Sequence, residues 1–248
     1  MSGTPDNAAA LPFEVRHAPL TFADLVFVNP LVQQALAGYA QRQKHRCLIL
    51  HGPYGCAKST TAEVIIRDRQ KLIGADLLPI ARFVGAELNG HMTKIDNAFN
   101  YALTLGGETE PYVIIDEGDQ MRAADQYTMR HNISTVAYYR VIITTNDLGK
   151  IDGGLRSRCE MLPLLAPQAN DWLPVAQRIL AIEGVQVGLP RLTAMLRQVQ
   201  DFRDLLRMLE DFVMRCRTTN NASTYTPPKL SVLPSIIQLP TTPDKPTP

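Results

Sequence analysis

The apolar run Cys47-Leu48-Ile49-Leu50 leads directly into His51-Gly52-Pro53-Tyr54-Gly55-Cys56-Ala57-Lys58-Ser59-Thr60, and a helical pattern follows from Lys58. A strand, a glycine-bearing turn and a helix start, in that order, leave few folds open. Gly52 and Gly55 allow backbone N–H groups to turn inward, and the first helical turn adds its own unbonded N–H groups and its dipole. The spacing is that of a phosphate-binding loop, G-x-x-x-x-A-K-S, with Ala57 at the position of the last loop glycine. Gly52, Pro53, Tyr54, Gly55, Cys56, Ala57, Lys58, Ser59 and Thr60 are the expected nucleotide-binding residues. Lys58 would reach the β- and γ-phosphates, and Ser59 would offer a hydroxyl to Mg2+.

Two further strand ends complete the pattern. Tyr112-Val113-Ile114-Ile115 is a buried strand in character and ends on Asp116-Glu117. At the carboxyl end of a parallel strand, Asp116 can hold the water shell of Mg2+, and Glu117 can orient or deprotonate an attacking water. Val141-Ile142-Ile143-Thr144-Thr145 ends on Asn146, which can fix the same water from the opposite side. Loop, carboxylates and asparagine together specify a site that hydrolyses ATP or GTP, with ATP and Mg2+ the expected cofactors.

Helical spacing of Leu25, Val28, Leu31, Val32, Ala35 and Leu36 predicts a helix running to about residue 43. Strands are expected at Cys47–His51, Ala81–Leu88, Tyr112–Asp116, Tyr139–Thr145 and Cys159–Leu165. The intervening helices are expected at Lys58–Leu72, Thr93–Leu105 (stopped by Gly106-Gly107) and Ala123–Ala137. Strands alternating with helices imply an α/β fold with a parallel five-stranded sheet and helices on both faces. From Asp171 to Arg217 the pattern is all-helical, with apolar faces such as Leu192, Met195, Leu196, Val199 and Phe202, Leu205, Leu206, Leu209, Phe212. The expected organisation is a flexible leader over 1–12, an ATPase module over 13–166, a small all-helical lid over 167–217 and a flexible tail over 218–248. The tail carries seven prolines and few charges, so it buries too little surface to offset its ordering entropy; its apolar patch Leu230–Leu239 reads either as solvated chain or as a short docking motif.

Composition sets the remaining limits. A net charge of +1 neither demands nor excludes a nucleic-acid partner. Cys47, Cys56, Cys159 and Cys216 form no C-x-x-C pair, which argues against a zinc site or a disulfide framework and suits a reducing compartment. No apolar run approaches the ~20 residues of a membrane helix. A cytoplasmic protein with no membrane partner is expected, and a bacterial or phage-infected cell fits.

An α/β ATPase module followed by a helical lid resembles the AAA+ superfamily, and particular residues resemble its clamp-loader subunits. Leu155-Arg156-Ser157-Arg158-Cys159 contains the Ser-Arg-Cys motif, Thr145-Asn146-Asp147 matches the first sensor, and Asp201-Phe202-Arg203 falls where the lid carries the second sensor arginine. Asp116-Glu117-Gly118-Asp119 resembles the family's Asp-Glu-Ala-Asp, Leu20-Thr21-Phe22-Ala23-Asp24-Leu25 its lead-in, and Asn89-Gly90 with Lys94-Ile95-Asp96 the segment whose basic residue meets DNA phosphates. The likeness covers roughly residues 13 to 217 and is nearest to replication factor C small subunits and phage clamp-loader ATPase subunits. Ala57, and His91-Met92 in place of Ser-Asp, depart from the pattern. The residues after Arg217 are too few and too proline-rich for the family's helical collar.

The resemblance implies catalytic roles for Glu117, Asn146, Arg158 and Arg203, metal binding by Ser59 and Asp116, and DNA contact by Lys94. Arg158 would act on the ATP of a neighbouring subunit, an arrangement that contributes ~10³–10⁵ in rate where it operates. Arg203 has a second reading as a structural lid residue and Lys94 one as a solvated helix charge, while Gln126 and Arg130, one turn apart on the helix after Glu117, read either as a link between DNA contact and that glutamate or as a helix-surface pair. The expected partners are primer–template DNA, further AAA+ subunits in a ring and a sliding clamp. The competing expectation keeps the ATPase and changes its task to helicase loading, transposition or partner remodelling.

Overall fold

Three apolar segments buried along their whole length need neighbours on both faces, and they form the middle of one sheet. In a computed structural model, which describes residues 11–74, 80–104 and 111–219, the strands are β1 (Cys47–His51), β2 (Ala81–Val84), β3 (Val113–Asp116), β4 (Val141–Thr145) and β5 (Cys159–Pro163). They pair in the order β2-β3-β4-β1-β5, all parallel. The buried strands β3, β4 and β1 lie inside, and the half-exposed β2 and β5 form the edges.

Side chains alternate across the pleat. Cys47, Ile49, Val113, Ile115, Val141 and Ile143 point to one face and pack on α4 (Thr93–Thr104) and α5 (Ala123–Thr135) through Ile95, Phe99 and Met129. Leu48, Leu50, Ile114 and Ile142 point to the other face and pack on α2 (Pro30–Ala40) and α3 (Lys58–Leu72) through Leu36, Ala62 and Ile65. Strand ends therefore collect at one rim, where the loop after β1, Asp116 and Thr145 meet.

Several boundaries differ from the periodicity. The helix expected from Leu25 starts at Pro30, because proline's fixed φ suits the first helical position and the Asn29 side chain accepts a hydrogen bond from Leu31 N–H at 2.9 Å. It ends at Ala40, and Arg42 follows in the left-handed region at φ 60°. The strand expected to reach Leu88 stops at Val84 and becomes a 3-10 turn over Gly85–Leu88. There the chain passes so close to β3 that a Cβ on Gly85 would lie 2.4 Å from the Glu117 carbonyl oxygen. β4 begins at Val141 rather than Tyr139, α5 stops at Thr135, and β5 stops at Pro163, after which Leu164 N–H donates to His51 O at 2.8 Å.

A separate helical core is built from α7 (Ala169–Ile182), α8 (Leu189–Leu196) and α9 (Phe202–Thr219) around Trp172, Ile179, Leu192, Leu205 and Leu209. Phe13, from the short α1 (Phe13–Arg16), packs into this helical core. The carboxylate of Glu183 is fully buried and holds Arg16 at 2.8 Å, His17 Nε2 at 2.6 Å and Arg217 at 2.6 Å. Asp24 also reaches across, pairing with Arg178 of α7. The stop at Gly106-Gly107, residues 1–10 of the expected leader and nearly all of the tail, with its patch 230–239, lie outside the described residues. Among the described residues no helix is long and apolar enough to cross a membrane.

Candidate active site

The loop between β1 and α3 is shaped by its sequence. Gly52 (φ 150°) and Gly55 (φ 77°) take backbone conformations that side chains resist, and a Cβ on Gly52 would lie 2.0 Å from Leu164 O. Ala57 holds the same left-handed region at φ 60°, ψ 27°, as the residue before α3. With no side-chain cap there, the first N–H groups of α3 remain for an anion. Lys58 is buried, and its ammonium donates to Gly52 O at 3.0 Å and Pro53 O at 2.6 Å. Phosphate oxygens entering the loop would replace those carbonyls with charged acceptors, the stronger pairing. Burial pushes the Cys56 thiol up and keeps it protonated beside this lysine. His51 is held below its ordinary value by burial, and by the Lys58 charge in second place. Tyr54 is exposed on the loop.

Asp116 is the hub. Its Oδ1 accepts hydrogen bonds from Ser59 Oγ at 2.5 Å and Thr144 Oγ1 at 2.8 Å, and its Oδ2 faces the Arg82 guanidinium of β2. The arrangement fits Mg2+: a carboxylate and a hydroxyl supply the hard oxygen donors, and a cation already neutralises the side of Asp116 away from the hydroxyls. Glu117 lies in the left-handed region at φ 54°, with Thr144 Oγ1 near its N–H at 3.3 Å and Gln120 donating to its carboxylate. Non-glycine strain of this kind collects at functional sites. Asp119 ties the next strand in, accepting from Thr145 Oγ1 at 2.7 Å and from Asn146 N–H at 3.3 Å. Asn146 thus sits at the same rim, one residue past β4.

The helical region touches this site through Asp201, just ahead of α9. A Cβ on Gly55 would meet the Asp201 side chain at 2.5 Å. Arg203 is exposed in the first turn of α9, two residues from that contact. Arg158 is elsewhere: it precedes β5 at the opposite rim, roughly 13–16 Å away along β1 at ~3.3 Å per residue. Its Nε donates to Ser134 Oγ at 2.6 Å and its NH1 to Gly154 O at 2.8 Å, the latter in α6 (Gly153–Arg156). Lys94 is exposed at the second residue of α4, with Nζ 3.3 Å from Glu87 O.

Thr144, Arg82 and Gln120 were not legible as site residues, and Asp119 and Asp201 stood inside quoted motifs without a role of their own. The pair Thr144-Thr145 at a strand end and an arginine inside β2 were the available signals. Gln126 corrects the helix-surface reading: it is buried, its amide donates to Met121 O and Lys150 O, and its carbonyl accepts from Asp152 N–H. Arg130 pairs with Asp152 at 3.2 Å and stacks over Tyr127.

A phosphate loop after an inner strand of a parallel sheet, with carboxylates at the end of β3 two strands away and a helical region beside them, defines a P-loop nucleoside triphosphatase. Residues 48–165 match the AAA family, described as the ATPase family associated with various cellular activities. That stretch carries Lys58, Ser59, Asp116, Glu117 and Asn146, and the match supports ATP hydrolysis as the reaction. A comparison with curated protein sequences finds no match. Among solved structures, the chain is similar to the RuvB Holliday junction branch migration motor of Thermotoga maritima, at TM-score 0.64 and 17% identity, covering 83% of this chain and 68% of that one. Two substituted forms of the same motor align at TM-score 0.60 with 18% identity (84% and 66% covered) and 0.62 with 18% identity (80% and 68% covered). At these identities the likeness speaks for the fold.

Proposed function

We propose that this chain is a ring-forming ATPase subunit that grips DNA, of clamp-loader type. The observation that carries the reading is the division of its charged groups between two rims of one sheet. Lys58, Ser59, Asp116, Glu117 and Asn146 converge where β1, β3 and β4 end, whereas Arg158 is fixed at the opposite rim and cannot serve its own site. In this reading Lys58 and the loop N–H groups hold the β- and γ-phosphates, and Ser59 and Asp116 hold Mg2+, which draws charge from the phosphate oxygens when bound. Glu117 takes the proton of the attacking water, Asn146 orients that water, and Arg158 stabilises transition-state charge on a neighbour's nucleotide. Arg203 would follow the phosphates from the helical region.

Ser157-Arg158-Cys159 supports the clamp-loader task. The fold likeness to a branch migration motor favours a second reading, a motor that remodels DNA without a clamp. ATP turnover measured with primed DNA plus clamp, and with four-way junctions, separates the two. Stimulation by primed DNA and a clamp is expected. Stimulation by junctions alone would favour the motor. Lys94→Ala should lower the log–log salt slope of DNA binding by ~0.9, one duplex phosphate contact; an unchanged slope would make Lys94 a solvated helix charge.

A further inference from the structure

Three arginines at the amino-terminal rim of the sheet face no carboxylate among the described residues. Arg46 precedes β1, Arg140 precedes β4 and Arg158 precedes β5, and a cavity of about 500 Å3 opens between them. His45, Ser134 and Ser157 also line it, and no Asp or Glu does. Several arginines elsewhere are paired: Arg67 with Glu63, Arg82 with Asp116, Arg122 with Asp125, Arg130 with Asp152 and Arg178 with Asp24. Around the cavity, two of the three guanidiniums are steadied by neutral acceptors. Arg158 is held by Ser134 Oγ and Gly154 O, and Arg140 Nε donates to His45 O at 3.1 Å. Neutral tethers fix the direction of a cation and leave its charge for an outside anion.

We propose that this cavity receives the terminal phosphates of a nucleotide held by a second copy of the chain, with Arg46 and Arg140 acting there beside Arg158. The inference rests on the reading of Arg158 as a group that works across a subunit interface. The chain's own phosphate loop lies at the other rim, so the cavity cannot serve it. A triphosphate tail carries the charge that three guanidiniums match, and the volume lies in the range of ligand sites. When water's oxygen bonds to the γ-phosphorus, the bond from that phosphorus to the β–γ bridging oxygen breaks, and the proton passes to the neighbour's Glu117. Charge then grows on the bridging oxygen and the leaving diphosphate, where added cations lower the barrier.

The test compares full-length Arg46→Gln, Arg140→Gln, Arg140→Lys and Arg158→Ala for ATP affinity and for turnover. Both glutamine variants should lose turnover roughly 10-fold to 100-fold, keep ATP affinity within about twofold because uniform binding is untouched, and regain activity when mixed with Lys58→Ala chains. Arg140→Lys should recover part of the loss. If Arg158→Ala slows turnover while Arg46→Gln and Arg140→Gln do not, this inference fails and the reading of Arg158 stands. If Arg158→Ala is also unaffected, the reading beneath it fails. Arg46 is exposed, so its substitution keeps the test open even if Arg140→Gln misfolds. Inorganic phosphate titrated into the Lys58→Ala chain gives the other arm: tight binding lost in a Lys58→Ala, Arg140→Gln chain would make this a free-anion site and overturn the proposal.

Discussion

Ala57 occupies a conformation that costs a residue with a Cβ about 1–2 kcal/mol. Ala57→Gly removes that cost but adds about 0.4–1 kcal/mol of unfolded-chain entropy. The first effect exceeds the second, so denaturant unfolding should show a gain of up to about 1 kcal/mol, and a loss would contradict the strain. Glu117 is held in the same region, one residue past the end of β3. Glu117→Gln should keep ATP binding and lose ~10²–10⁴ in turnover, read by nucleotide titration and phosphate release; undiminished hydrolysis would remove Glu117 from the reaction. At this scale the contiguous residues were legible, because Lys58, Ser59, Asp116 and Glu117 lie in motifs whose spacing is the chemistry. Thr144 and Arg82 were not, because their meeting on Asp116 depends on strand order, which no local pattern carries.

Element type and order were readable from hydrophobic period, and the ends were set by single residues. Pro30 and Asn29 move a helix start, and the closeness of Gly85 to Glu117 ends a strand early, an event visible only once two distant segments pack. The tie between α1 and the helical core was equally invisible, because it depends on Glu183 receiving Arg16, His17 and Arg217 from two chain segments. Burial holds His17 below its ordinary value of 6.5, against the opposing pull of Glu183, with Arg16 and Arg178 adding to the lowering. As the folded value lies below the unfolded one, the unfolded chain gains the proton first as pH falls. Stability contributed here is present above about pH 6.5 and lost below it. Thermal unfolding from pH 7.5 to 5.5 should therefore fall more steeply in the wild type than in His17→Gln, which retains a donor for Glu183. Equal slopes would contradict the assignment.

Across the whole molecule, one sheet carries a nucleotide site at one rim and a tethered arginine at the other, and the helical region touches the phosphate loop through Asp201 and Gly55. The sheet and helical region were foreseeable from the alternation of periods. The action of Arg158 away from its own site was an expectation of the Ser-Arg-Cys resemblance; its distance from the phosphate loop was not legible, because distance along a strand has meaning only once the sheet is assembled. The proposed completion of the site from outside has a direct consequence. On that proposal Lys58→Ala chains lose ATP and Arg158→Ala chains leave a neighbour's site incomplete, so each alone should be inactive. Mixed at concentrations where joint assemblies form, they place intact Lys58 sites against intact Arg158, and ATP hydrolysis should reappear. Mixed assemblies that form but remain as inactive as either parent would contradict the shared site.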